Sequence, residues 1–100
     1  MAQIMVQGWL PQNKSNEMLK VYTKKDKPAY PDFVKRVQHW MVISHEGMIK
    51  TYAVYECPDD KILEAFNAIG RRYTLYAQVE GYKYYPELLF DAQEMIKTYL

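Results

Sequence analysis

A hairpin that is apolar on both of its faces limits what this chain can fold into more than any other feature. Residues 36–57, RVQHWMVISHEGMIKTYAVYEC, read as two β-strands folded about Glu46-Gly47, because β-branched and aromatic residues flank a turn dipeptide on both sides. A two-residue turn there sets His45 against Met48 and Met41 against Tyr52. Side chains alternate along a strand, so His39, Met41, Ile43, Lys50, Tyr52 and Val54 share one face, and Trp40, Val42, Ile49, Thr51, Ala53 and Tyr55 share the other. Neither is a solvent face. An antiparallel sheet buried on one side alternates apolar and polar residues, so the second side calls for a cover beyond the chain's own helices, and a partner subunit is the expected one.

Length points the same way. One hundred residues, 49% hydrophobic, make a single domain, 1–100. Such a domain buries only about 60–70% of its unfolded surface by itself, and dimerisation adds core where the monomer has little. The formal charge of +1 argues against nucleic acid as partner, since phosphate contacts need a basic surplus. The run Lys24-Lys25-Asp26-Lys27 reads as a solvated helix end. A lone cysteine, Cys57, leaves no internal disulfide and suggests a reducing compartment, hence a cytoplasmic location. The N-terminal MAQIMVQGWLPQ lacks the features of a signal peptide, and no window approaches the roughly 18 apolar residues of a membrane span, so no membrane partner is expected.

The remaining elements follow from periodicity. Ile4, Val6 and Leu10 alternate with Gln3, Met5, Gln7 and Trp9 in a first strand stopped by Pro11, with Gly8 a bulge or a close approach. Asn13 or Ser15 caps a helix running to about Lys25 on a Met18, Leu19, Tyr22 stripe. Pro31-Asp32-Phe33-Val34 reads as one helical turn. Pro58-Asp59-Asp60 starts a second helix, whose stripe of Ile62, Phe66, Ile69, Tyr73 and Tyr76 is continuous; Gly70 inside it marks close packing or a local break. A strand from Tyr82 to about Leu89 contains Pro86, which implies an edge. Asp91 three before Glu94 is a capping-box spacing, with Phe90 and Met95 placed as a hydrophobic staple, so a short helix closes the chain.

The order β, α, β, β, α, β and a terminal helix is an α+β class chain, a ferredoxin-like βαββαβ sandwich with a short C-terminal helix. With the two-faced hairpin, it resembles the dimeric α+β barrel superfamily, in which two such sheets pack face to face around a cavity. The resemblance spans nearly the whole chain and rests on pattern without a diagnostic motif. It implies a homodimer. The superfamily's members range from cofactor-free monooxygenases, haem-degrading oxygenases and muconolactone isomerases to proteins of unknown role, so it offers a range of functions.

Candidate site residues are chosen by face. Ile4, Val6 and Leu10 belong under the helices, which leaves Gln7 and Trp9 on the barrel side. The hairpin face with His39, Lys50 and Tyr52 is assigned to that same side; the Trp40, Ser44 and Thr51 face is the alternative lining. Tyr82 and Tyr84 share one face of the last strand and Tyr85 takes the other. Together Gln7, Trp9, His39, Lys50, Tyr52, Tyr82 and Tyr84 form an aromatic, hydroxyl-bearing lining suited to a small ligand or to the dimer interface itself. His39 and His45 lie about 20 Å apart along a strand, so they cannot share a metal, and no metal site or cofactor is expected. His39 alone is the one catalytic candidate, as a general base or haem ligand. Cys57 reads as a small buried hydrophobe, and Arg71-Arg72 as a solvent-facing pair or an anion clamp.

The leading expectation is a non-enzymatic dimeric domain that binds a small apolar or aromatic molecule or a protein partner. The alternatives are a small cofactor-independent or haem-dependent oxygenase or isomerase using His39, and a structural subunit of a larger assembly.

Overall fold

Alternation in the first strand decides where the core lies. In β1 (Ala2–Pro11), Ile4, Val6 and Leu10 are buried beneath the helices, while Met5, Gln7 and Trp9 turn to the opposite side and are half-buried. The computed structural model describes residues 1–43 and 46–100. After β1 the chain makes a 3-10 turn, Gln12–Lys14, and enters α1 (Ser15–Tyr22). It continues through β2 (Lys35–Ile43), β3 (Met48–Cys57), a second 3-10 turn (Asp59–Lys61), α2 (Ile62–Tyr76), β4 (Lys83–Leu89) and α3 (Ala92–Tyr99).

The four strands form one antiparallel sheet in the order β2-β3-β1-β4. β1 and β2 therefore run parallel with β3 between them, and β3 and β4 run parallel with β1 between them. Strands that run parallel in one sheet need long crossovers between them, and α1 and α2 supply them. Both helices pack on one face of this α+β fold, where Val21 of α1 and Ala65, Ile69, Tyr73 and Tyr76 of α2 join Ile4, Val6, Ala53 and Tyr55 in one cluster. The smallest dimension, 18 Å, is that of one sheet under one helical layer.

α2 follows its stripe: Ile69, Tyr73 and Tyr76 are buried, and Ile62 and Phe66 pack against the core. Gly70 does not mark close packing, because a Cβ built there meets nothing within 4 Å. Pro86 lies on the edge strand β4, opposite Val6. α3 begins as its capping box requires, with Asp91 accepting from the Glu94 amide at 3.2 Å, yet every residue of α3 is exposed.

Three expectations need correction. The hairpin pairs Met41 with Thr51, Trp40 with Tyr52 and His39 with Ala53, one residue away from the two-residue-turn register. The last described pair before the turn is Ile43 with Ile49, so more chain separates the strands than Glu46-Gly47 alone. A one-residue slip exchanges faces, and His39 and Tyr52 end on opposite sides of the sheet. The expected pairing of His45 with Met48, and the placement of Ser44, lie outside the described residues.

α1 stops at Tyr22 and not near Lys25. Thr23 donates both its amide and its hydroxyl to the Leu19 carbonyl, at 3.0 and 2.8 Å, and Lys27 folds back to give its ammonium to the Tyr22 carbonyl. These contacts take up helix-end acceptors that a longer helix would have used. At its start, Ser15 donates to the Gln12 carbonyl and caps no amide, since the 3-10 turn precedes it. Pro31 to Val34 is a turn closed by the Val34 amide on the Pro31 carbonyl at 2.9 Å, with Val34 buried.

Candidate functional site

The helix-covered face of the sheet holds a row of phenols. Tyr55 of β3 lies under α2, and its hydroxyl is 3.0 Å from that of Tyr30 and 3.0 Å from that of Tyr73. Tyr30 comes from the irregular segment between α1 and β2, so three parts of the chain converge on one hydroxyl. Burial pushes the pKa of all three phenols up, and they stay neutral donors and acceptors at ordinary pH.

The rings continue outward from this centre. Tyr73 packs on Tyr76 at 5.3 Å and on Tyr84 at 5.4 Å; Tyr76 meets Tyr82 at 6.3 Å and stacks on Tyr22 of α1 at 6.2 Å. Such aromatic pairs hold one another in orientation as well as burying area. Tyr82 crosses over β1 at Gly8, where a Cβ would stand 2.6 Å from Thr51 Oγ1 and 2.7 Å from Tyr82 Oη. Gly8 is thus a close approach, and no bulge interrupts pairing there.

Between α1, α2 and the sheet these groups wall a cavity of about 330 Å³, within the size range of small-ligand sites. Met18, Leu19 and Tyr22 of α1 form one side, and Leu10, Ile49, Tyr55, Tyr73, Tyr76 and Tyr82 form much of the rest. Arg36, His39 and Arg72 also line it.

Arg36 and His39 are three residues apart and would lie on opposite faces of a regular strand. They share a face because β2 bulges between Arg36 and Gln38: Arg36 opposes Tyr55 and His39 opposes Ala53, the extra residue shifting the alternation. Arg36 Nη1 donates to Tyr22 Oη at 3.5 Å, which lowers the Tyr22 pKa and raises that of Arg36. Desolvation, helped by the Arg36 charge, lowers the pKa of His39, so its imidazole is neutral at pH 7. Arg72 gives Nε to the Pro28 carbonyl at 2.8 Å and lies over the Tyr30 ring at 4.6 Å.

The residues expected from sequence to line one pocket are divided between two surfaces. His39 and Tyr82 line the cavity, and Tyr84 stacks beside Tyr82 on the same face. Gln7, Trp9, Lys50 and Tyr52 lie on the other face, away from α1 and α2, where Gln7 opposes Tyr52 and Trp9 opposes Lys50. There Trp9 meets Tyr85 edge-on at 5.3 Å and Gln7 donates to Glu87 at 2.7 Å. The alternative lining divides as well: Thr51 faces the cavity and Trp40 the open side. Arg71 is exposed while Arg72 is half-buried, so only the second belongs to the site.

Arg36, Tyr30 and Tyr55 are site residues that sequence patterns alone miss. The α2 stripe, which aims Tyr73 and Tyr76 at the sheet, was the one available signal for the wall. Cys57 is buried, and desolvation followed by the nearby Asp59 raises its pKa, the opposite of an activated thiol. Among the described residues no three His, Cys, Asp or Glu side chains are grouped to hold a metal ion. His39 has Arg36 as its charged neighbour and, among the described residues, no hydrogen bond that would orient its ring as a ligating histidine needs. The residues present do not fit a haem site. No helix among the described residues is long and apolar enough to cross a membrane.

No family model matches the chain, and no curated protein matches it in sequence. Among solved structures it is similar to the de novo designed protein Foldit4, with a TM-score of 0.54, over 90% of this chain and 97% of that one, at 5% identity. At that identity the likeness is one of fold alone.

Proposed function

We propose that this chain is a non-catalytic binding domain of ferredoxin-like fold, which holds a small apolar or aromatic molecule in the cavity under α1 and works as a homodimer built on its open sheet face. The cavity is the observation that carries the reading: about 330 Å³ walled by tyrosine rings and aliphatic side chains, the composition typical of small-molecule sites. The ferredoxin-like assignment is supported by the strand order β2-β3-β1-β4 and by two crossover helices on one face.

The open face supports the dimer. Trp9 and Tyr52 lie on its central strands and Trp40 and Tyr85 on its two edge strands, with Trp40 52% and Tyr85 53% exposed. Lys50, Lys83, Glu56 and Glu87 lie among and around them, as polar groups surround the apolar centre of an interface. The radius of gyration, 14.9 Å, exceeds the roughly 13 Å of a compact 100-residue domain, as expected of a half-covered sheet.

The neutral fluorophore N-phenyl-1-naphthylamine tests the cavity. Its emission should rise on addition of the protein, and Met18→Trp, which fills the space, should remove the rise without lowering the melting temperature. Equal brightening by the two proteins refutes the cavity reading. Light scattering at micromolar concentration tests the pairing: a monomer that remains monomeric when concentrated refutes the dimer.

A further inference from the structure

The cavity carries charge of one sign. Arg36 and Arg72 lie in its wall beside the neutral His39, and no aspartate or glutamate does, although the chain balances 13 basic against 12 acidic side chains. The ion pairs among the described residues involve the N-terminus, Lys14 and Lys61, and neither guanidinium of the cavity. Arg36 reaches Tyr22 Oη at 3.5 Å, and Arg72 gives one donor to the Pro28 carbonyl. A guanidinium presents five N–H donors in a planar fork, so most of this capacity has no protein acceptor. Tyr22 accepts from Arg36 and keeps its own hydroxyl proton to give.

Behind these donors the wall is rings and aliphatic carbon. An uncompensated guanidinium at the edge of an apolar space is best matched by a molecule with the reverse arrangement, an oxyanion joined to an apolar body. A planar carboxylate also fits the fork with two parallel hydrogen bonds. Partial desolvation strengthens such a contact relative to the same pair in water.

We infer that the ligand of this cavity is a small amphipathic carboxylate, its head on Arg36 with the Tyr22 hydroxyl and Arg72 beside it, and its aromatic or short aliphatic body among Tyr55, Tyr73, Tyr76 and Tyr82. The inference rests on the cavity reading proposed above and adds the chemistry of the ligand. A neutral molecule of the same shape forgoes the charged contact, and an amine meets like charge.

Three compounds with one body separate the two ideas: naphthalene-2-acetate, the corresponding primary alcohol and the corresponding amine, each titrated calorimetrically into the intact chain. The carboxylate should bind about tenfold or more tighter than the alcohol, the worth of a charge-assisted hydrogen bond, and the amine weakest. Arg36→Gln should bring the carboxylate down to the level of the alcohol, and Arg36→Lys should keep part of the preference, with circular dichroism verifying the fold of each. Equal affinity for alcohol and carboxylate overturns the anion inference and leaves the cavity standing. A carboxylate preference that survives intact in Arg36→Gln overturns the role given to Arg36. If none of the three binds, the cavity reading falls and the inference with it.

Discussion

Replacing Tyr55 by phenylalanine should destabilise the fold by more than the loss of one hydrogen bond. The Tyr55 hydroxyl is the middle member of three, with Tyr30 and Tyr73 each at 3.0 Å, and Tyr55 is 2% exposed. Its removal breaks both contacts, each worth about 0.5–1.5 kcal/mol net. It also strands the Tyr73 hydroxyl on a residue only 7% exposed, with a desolvation penalty of about 1 kcal/mol or more. Tyr30 is better placed, because it is only half-buried and water can reach its hydroxyl. The expected total is about 2–3 kcal/mol for Tyr55→Phe, against about 1 kcal/mol for Tyr30→Phe, which breaks one contact. For a domain of this size that corresponds to a melting-temperature loss of roughly 10–20 °C for the central variant. Urea unfolding followed by circular dichroism measures both, and an unchanged slope with denaturant licenses the comparison. If Tyr55→Phe is no more destabilising than Tyr30→Phe, the three hydroxyls do not act as a connected row.

Two further outcomes follow from the fold. Gly70→Ala should stabilise the chain by about 1 kcal/mol, since α2 is continuous through Gly70 and the new methyl enters open space; a lower urea midpoint would show that the position is constrained after all. Alkaline unfolding should begin above pH 10. The pKa values of Tyr30, Tyr55, Tyr73 and Tyr82 are all raised from 10.0 by burial, so the native state holds protons that the unfolded state releases. Their stabilisation is complete below the unfolded value and is lost as pH rises through the folded ones. Absorbance at 295 nm should show these phenols ionising together with loss of structure, and a smooth titration of all ten tyrosines near pH 10 in a still-folded chain contradicts it.

Elements with their own periodicity were readable from sequence. The stripe on α2, the alternation of β1, the edge position implied by Pro86 and the Asp91 cap are all present, because each depends on residues close together in the chain. The hairpin register was not readable. Glu46-Gly47 is compatible with loops of different length, and lengths that differ by one residue put His39 on opposite faces. The bulge by Val37 carries no sequence mark, yet it places Arg36 in the cavity. Tyr30, Tyr55 and Tyr73 meet across 43 positions of sequence, a convergence that depends on strand order and on the path of an irregular segment. The residues expected to share one lining are therefore divided between the two faces, His39 and Tyr82 on the cavity side and Gln7, Trp9, Lys50 and Tyr52 on the other.

The bulge in β2 has a further consequence for how this hairpin tolerates change. Arg36 opposes Tyr55 on one side of the extra residue, and His39 opposes Ala53 on the other, so the two halves of the strand are registered separately. Were the turn to shorten by one position, residues 38–43 would advance against β3 and the surplus at Val37 would be absorbed, giving an uninterrupted ladder with Arg36 still against Tyr55. The strand thus carries one residue of slack. Such a shift would carry His39 from the cavity to the open face while the guanidinium stayed where it is, so loop length, rather than substitution, would be the economical way to vary this site.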